Sequence, residues 1–205
     1  THEHYQPSKT TLSFSTSALK TQAQCPFKSL IIHQLNTPNE TEPQLGLTPS
    51  DRGALVHEVI ERLHKTHFDT QNISDQTLHK TIAYVLNQWQ KRLPTSLSGA
   101  FKSIEHRRLA GLLQDWLQHE QQLPQPQRRL IEQSFEYNIQ SHSLKLRADR
   151  IDKHHDGDVI IDYKTGLTHP KEWFDERMTE PQLPLYALSN ESVKGMFIYR
   201  IHHSG

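Results

Sequence analysis

The sequence predicts an α/β fold of the α+β kind, with helical segments first and strands after them. Apolar residues recur at helical spacing in several segments between residues 51 and 123. The strand-like run from Leu144 to Gly166 is divided by the turn-rich stretch from His154 to Asp158, and another such run covers residues 193–201. Together these patterns predict an antiparallel β-meander flanked by helices, with a helical insertion at about residues 70–125.

Length and charge limit the possible functions. A chain of 205 residues predicts a single domain, 1–205, and its abrupt start and finish predict a fragment of a longer polypeptide. The net charge is zero, so DNA binding would have to come from a local basic patch rather than from the overall charge. The candidate residues for such a patch are Lys145, Arg147, Arg150, Arg107, Arg108, Arg128 and Arg129.

Cysteine content and hydropathy indicate the compartment. Cys25 is the single cysteine of the sequence, which excludes an internal disulfide and an iron–sulfur cluster held by four thiolates of this chain. One free cysteine suits a reducing compartment, and no apolar run has the length of a membrane span. We therefore expect a soluble cytoplasmic protein that makes no contact with a membrane.

The predicted helices carry one histidine of special interest. From Asp51 to Phe68 an apolar stripe recurs at helical spacing, and His57, Glu61 and His64 follow a neighbouring polar stripe. A histidine beside an apolar stripe is more often a packing residue than a metal ligand. Further amphipathic helices are predicted at residues 74–93 and 103–123, and others begin near residues 17 and 181. Glu172 to Met178 is predicted as a short helix or loop in which Trp173 and Phe174 cover the core.

The strand pair from Leu144 to Gly166 is the candidate catalytic element. Side chains alternate between the two faces of a strand. If the two strands pair as a hairpin after a first strand at residues 132–140, then Asp149, Asp162 and Lys164 meet on one face. Two carboxylates beside a lysine predict a divalent-metal site suited to phosphodiester cleavage. The alternative is an ordinary solvated face of an edge strand.

Four motifs resemble one known family. They are Gly53-x-x-x-His57, ADRID at residues 148–152, IIDYKTG at residues 160–166, and Gln182-x-x-x-Tyr186. In this order they resemble the PD-(D/E)XK nuclease superfamily, and within it the RecB and AddB type of exonuclease domain, over Ser13 to Tyr186. The resemblance implies a restriction-endonuclease-like core around a central mixed sheet.

The resemblance also implies residue roles. Its metal ligands would be His57, Asp149, Asp162 and the backbone carbonyl of Tyr163. Asp149, Asp162 and Lys164 would be the catalytic residues, and Gln182 and Tyr186 would contact substrate. Lys145 and Arg147 share a strand face with Asp149, so we expect them to contact phosphate as well.

The implied activity is that of a Mg²⁺- or Mn²⁺-dependent deoxyribonuclease, with exonuclease action favoured over endonuclease action. It would act in double-strand-break repair and recombination, on single-stranded ends supplied by a helicase subunit or domain. Cys25-Pro26-Phe27 resembles the first cysteine position of the cluster-bearing relatives, but no later cysteine follows, so we expect no iron–sulfur cluster. The alternative function is a catalytically inactive nuclease fold that serves as a DNA-binding or scaffolding module.

Overall fold

The computed structural model describes residues 14–37, 46–93, 95–139, 142–166 and 180–202. A short π-helix, Leu30–Gln34, and a 3₁₀ turn, Thr70–Asn72, accompany the regular elements. In chain order the regular elements are β1 (Phe14–Ser15), α1 (Thr16–Gln24), α2 (Pro26–Ser29), α3 (Pro49–Thr66), α4 (Asp75–Arg92), α5 (Gly99–Glu120), β2 (Arg128–Ile139), β3 (His142–His154), β4 (Gly157–Lys164), α6 (Gln182–Ser189) and β5 (Val193–Arg200).

These elements fall into two compact units. The first unit contains, among the described residues, 14–37, 134–139, 142–147 and 180–189, and the second contains 46–93, 95–133, 148–166 and 190–202. Strands β2 and β3 continue from one unit into the other along the chain. The helices α4 and α5 lie within the stretch predicted as an insertion.

The second unit is built on three helices and a mixed sheet. Thr48 and Asp51 form a reciprocal capping box at the start of α3, and Pro49 occupies its first turn, so the helix start is fixed locally. Apolar faces of α3, α4 and α5 pack together with Ile161 and Tyr163 of β4 in one core. Burying these faces is the main favourable term in folding.

The mixed sheet has β4 between an antiparallel and a parallel neighbour. β3 pairs with β4 antiparallel, with Arg150 opposite Ile161, and the turn between them contains Gly157. Gly157 has φ +145°, and an added Cβ would lie 2.2 Å from Lys194, so a side chain does not fit there. β4 pairs with β5 in parallel, and β2 pairs with β3. The predicted mixed α/β fold and the β3–β4 hairpin are confirmed.

The first unit has its own small core. Ser15 caps α1 by accepting a hydrogen bond from the backbone N–H of Ala18, and β1 pairs in parallel with the start of β3. Ala18 is buried in this unit, as are Leu144, Leu146, Leu183 and Tyr186. Cys25 is partly exposed.

The structure corrects several details of the sequence interpretation. His64, predicted on a polar stripe, is buried, and so is Arg150, which was a candidate for an exposed basic patch. The side chain of Arg129, another candidate, is only 2% exposed. These residues take part in the internal ion network described below, which supplies the partners that burial of charge requires. The first strand of the meander starts at Arg128 instead of Glu132.

The predicted element at residues 172–178, with Trp173 and Phe174, lies outside the described residues. In the part of the chain that the structure describes, every helix is too short or too polar to cross a bilayer.

Candidate metal centre and catalytic hairpin

The hairpin of β3 and β4 brings the predicted carboxylates together. Arg150 lies opposite Ile161, so one step along the pair come Asp149 on β3 and Asp162 on β4. Opposite residues of an antiparallel pair point to the same face of the sheet. The two carboxylates are both buried, and each influences the other electrostatically because Asp149 contributes to the shifted pKa of Asp162.

A histidine and a second carboxylate complete a group of possible metal ligands with Asp149. One ligand atom each from His57 on α3, Glu132 on β2 and Asp149 on β3 lie within 4.8 Å of one another. His57 Nδ1 is 3.5 Å from Asp149 Oδ2. The same Oδ2 accepts a hydrogen bond of 2.9 Å from the backbone N–H of Tyr163, which fixes the orientation of the carboxylate. Among the described residues, Asp162 is not part of this group.

This donor set suits a divalent cation. One imidazole nitrogen and two carboxylate oxygens are ligands that Mn²⁺ accepts readily, and the carboxylates are ligands for Mg²⁺ as well. A neutral imidazole with two carboxylates carries a charge of about −2, which a divalent cation balances. The three side chains come from three different elements and their ligand atoms converge, so the donor chemistry of the residues present fits such an ion.

Lys164 and Asp162 form an ion pair at the end of β4. Lys164 Nζ lies 2.9 Å from Asp162 Oδ2, and the lysine side chain is 28% exposed while the aspartate is 4% exposed. Burial raises the pKa of the Asp162 carboxyl; the ammonium group of Lys164 opposes this effect and the charge of Asp149 adds to it. The buried carboxylate of Asp162 therefore fixes the position of an ammonium group that remains partly accessible to solvent.

A network of buried charges lies on the other face of the same strands. Arg150 is fully buried, and its guanidinium donates to both carboxylate oxygens of Asp152 and, at 2.7 Å, to Glu120 Oε1. Arg129 donates to Asp152 Oδ1 at 3.0 Å and to Glu120 Oε1 at 3.4 Å. Burial alone would raise the pKa of Asp152, but the hydrogen bonds and charges of the two arginines hold it below its usual value. Two cations and two anions balance in this network.

The network reaches the catalytic hairpin through His64 and Tyr163. Arg129 Nη1 is 3.1 Å from His64 Nδ1. A guanidinium can only donate, and Arg150 Nη1 likewise lies 3.3 Å from His64 Nε2, so an arginine N–H faces each ring nitrogen. His64 Nε2 is also 3.1 Å from the hydroxyl of Tyr163, which accepts a hydrogen bond from Arg150 at 3.1 Å. Burial, and then the charges of Arg150 and Arg129, lower the pKa of His64, which keeps this imidazole neutral.

The other predicted site residues lie in the first unit. Gln182, at the start of α6, donates from its side-chain amide to the backbone carbonyl of Arg147 and to the hydroxyl of Tyr186, both at 3.2 Å. The Tyr186 ring is fully buried against Phe135, with ring centroids 5.2 Å apart. Lys145 and Arg147 are exposed. Tyr186 is therefore placed to orient Gln182 and the strand that carries Arg147.

The sequence interpretation did not include Glu132 among the ligands. It named this residue only as the first position of a strand, where a glutamate usually faces solvent. A carboxylate in a strand that was predicted to neighbour the Asp149 strand was the signal available. The left-handed backbone that Glu132 adopts is invisible in the sequence, because glutamate gives no indication of a positive φ.

Comparisons with known proteins identify the family. The family model described as the PD-(D/E)XK nuclease superfamily matches residues 13–203. No curated protein matches the chain. Among solved structures, the one titled "Crystal structure of SSO0001" is 14% identical, with a TM-score of 0.36, over 96% of this chain and 65% of that one. The chain thus spans somewhat less than two thirds of that chain's length.

Proposed function

Because this chain belongs to the PD-(D/E)XK nuclease superfamily, we propose that it is a metal-dependent deoxyribonuclease of the RecB and AddB type. The observation that supports this most is the adjacency of His57 and Asp149, whose side chains approach to 3.5 Å beside the hairpin that carries Asp162 and Lys164. Each of the residues required by the family pattern is present, so no observation favours the inactive scaffold.

In this proposal His57, Asp149 and Asp162 hold the ion, with the backbone carbonyl of Tyr163 as a further ligand. A divalent cation bound there would lower the pKa of a coordinated water and neutralise charge on the scissile phosphate. The backbone N–H of Tyr163 keeps the Asp149 carboxylate in one orientation. His57 would offer one ring nitrogen to the ion from α3.

Lys164 acts on the substrate side of the hairpin. Its ammonium group, held 2.9 Å from Asp162, can donate a hydrogen bond to the attacking water or to the phosphate oxygen on which charge develops. Asp162 therefore serves both the ion and the position of this ammonium group.

Substrate binding is assigned to the first unit. Lys145 and Arg147 offer exposed positive charge, which suits contact with phosphates. Gln182 contacts substrate from α6, and Tyr186 acts through its hydrogen bond with Gln182. The polarity of these groups suits contact with a sugar–phosphate backbone more than base-specific recognition.

The wider biological role rests on the resemblance of the motifs. We propose that residues 1–205 work as one nuclease domain of a longer cytoplasmic repair protein, with α4 and α5 as its insertion, in double-strand-break repair. A helicase subunit or domain would supply single-stranded ends. An exonuclease cuts linear but not circular single-stranded DNA, whereas an endonuclease cuts both. A competition assay with linear and circular single-stranded DNA therefore tests whether the protein is an exonuclease.

The experiment on activity uses end-labelled linear DNA, single- and double-stranded, with Mg²⁺, Mn²⁺ or a chelator. We expect cleavage that requires the cation and that falls by about a hundredfold or more in Asp162→Asn and Lys164→Met. Asp156→Asn, in the exposed turn of the same hairpin, and Lys91→Met, on the exposed face of α4, are the matched controls.

Two results of this cleavage assay would contradict the proposal. Cleavage that survives both site substitutions would remove the catalytic assignment. A folded wild-type chain that binds DNA but cuts neither substrate with either cation would favour the scaffolding function instead.

A further inference from the structure

The backbone of Glu132 is unusual for a residue inside a strand. Among the described residues, Asn36 and Glu132 are the non-glycine positions with a positive φ, and Glu132 has φ +52°. Asparagine is frequent in this left-handed region, whereas glutamate rarely adopts it. A left-handed residue inside a strand bends the chain and turns its side chain away from the direction that regular alternation would give. Here the turned side chain is a carboxylate.

The carboxylate of Glu132 is directed to a specific place. One of its oxygens lies within 4.8 Å of a ring nitrogen of His57 and of an oxygen of Asp149. These two residues are the pair that the proposed function already assigns to the ion, and they come from α3 and β3. A cation shared between two carboxylates at this separation would lower their mutual repulsion.

We propose that Glu132 is a protein ligand of the catalytic cation, so that an imidazole and two carboxylates from α3, β2 and β3 hold the ion together. This inference rests on the proposed function and adds to it a residue that the family motifs do not name. Asp162 lies outside this group of three and is paired with Lys164. In this arrangement Asp149 and Glu132 share the ion, and Asp162 has a second role as the ion-pair partner of the Lys164 ammonium group.

A purely structural role of Glu132 in the strand is the competing explanation. If Glu132 binds the ion, removing its negative charge weakens cation binding. If Glu132 only supports the fold, the same change leaves cation binding as it was and lowers the stability of the protein instead.

The test measures Mn²⁺ binding to the whole chain without DNA, by calorimetry and by electron paramagnetic resonance of the free ion. Glu132→Gln keeps the shape of the side chain and removes its charge. We expect it to bind Mn²⁺ at least about tenfold more weakly than the wild type. Glu136→Gln, exposed on the same strand, is the matched control and should bind Mn²⁺ as the wild type does. Asp149→Asn should lose affinity in the same way as Glu132→Gln.

Thermal unfolding separates a ligand from a residue needed for folding. Glu132→Asn introduces a residue that tolerates the left-handed backbone, so the metal-free protein should melt no lower than the wild type. The rise in melting temperature that Mn²⁺ gives the wild type should shrink in this variant. A lower melting temperature of the metal-free protein, with an undiminished rise on adding Mn²⁺, would mean that Glu132 serves the fold and not the ion.

The outcomes distinguish this inference from the proposed function. If Glu132→Gln binds Mn²⁺ like the wild type while Asp149→Asn does not, Glu132 is not a ligand and the nuclease assignment stands. If the wild type neither binds Mn²⁺ nor cleaves DNA, both the inference and the proposed function are overturned.

Discussion

Replacing Gly53 by alanine should raise the stability of the protein and lower its activity. Gly53 lies one turn before His57 on α3, and a Cβ added there would be 3.1 Å from the hydroxyl oxygen of Thr165, just after β4. An ordinary contact needs about 3.4 Å or more, so either the Thr165 side chain or the first turns of α3 must move by a few tenths of an ångström, and we expect α3 to share in that movement. Alanine in place of glycine inside a helix stabilises it by about 1 kcal/mol, which offsets the cost of this small shift.

The displacement matters because His57 is carried by the same rigid helix. A misplacement of about 1 Å can cost about a hundredfold in rate, so a few tenths should cost about threefold to tenfold. The assay pairs urea unfolding with DNA cleavage under saturating Mn²⁺ and compares Gly53→Ala with Gly166→Ala, where an added Cβ meets nothing within 4 Å. Wild-type activity in Gly53→Ala would refute the reasoning, because the close approach of α3 to β4 would then not set the position of His57.

Three other predictions concern the buried charges. Arg150→Met leaves the carboxylates of Glu120 and Asp152 without this partner and should lower the free energy of unfolding by about 3–5 kcal/mol, measured in urea. The pKa of His64 is lowered in the folded protein, so below about pH 6.5 the histidine takes up a proton when the protein unfolds. The free energy of unfolding should therefore decrease as the pH is lowered below 6.5, by at most about 1.4 kcal/mol per pH unit. His64→Gln should make the free energy of unfolding less dependent on pH in this range. Asp162→Asn should stabilise the metal-free protein, because burial disfavours the charged carboxylate that it replaces, while cleavage is lost; equal or lower stability would contradict this.

Local patterns were enough to predict the elements of the fold. The helices α3, α4 and α5 follow from apolar residues at helical spacing, and the turn at Gly157 follows from a run of turn-forming residues between two strand-like segments. The hairpin register could be anticipated because the position of the turn between the two strands sets how they pair. These features depend on neighbours in the sequence, which a single chain displays directly.

Features that depend on distant partners were not predictable in the same way. Arg150 and Arg129 look like surface charges in the sequence, and their burial depends on Glu120, which comes from a helix in the predicted insertion. His64 is buried because Arg129 and Tyr163 supply its hydrogen bonds. Polar residues enter a core only where such partners meet, and a sequence does not show which partners will meet.

The catalytic hairpin joins chemistry and support through the alternation of its strands. On β3, Asp149 points to the ligand group and the next residue, Arg150, points to the buried network. On β4, Tyr163 lies between Asp162 and Lys164; its hydroxyl belongs to the network while its backbone N–H donates to Asp149. A change in the network therefore reaches the ligands through one hydrogen-bonded residue. For this reason the short motifs of the two strands include residues of both kinds, those that we propose to hold the ion and those that hold the strands in register.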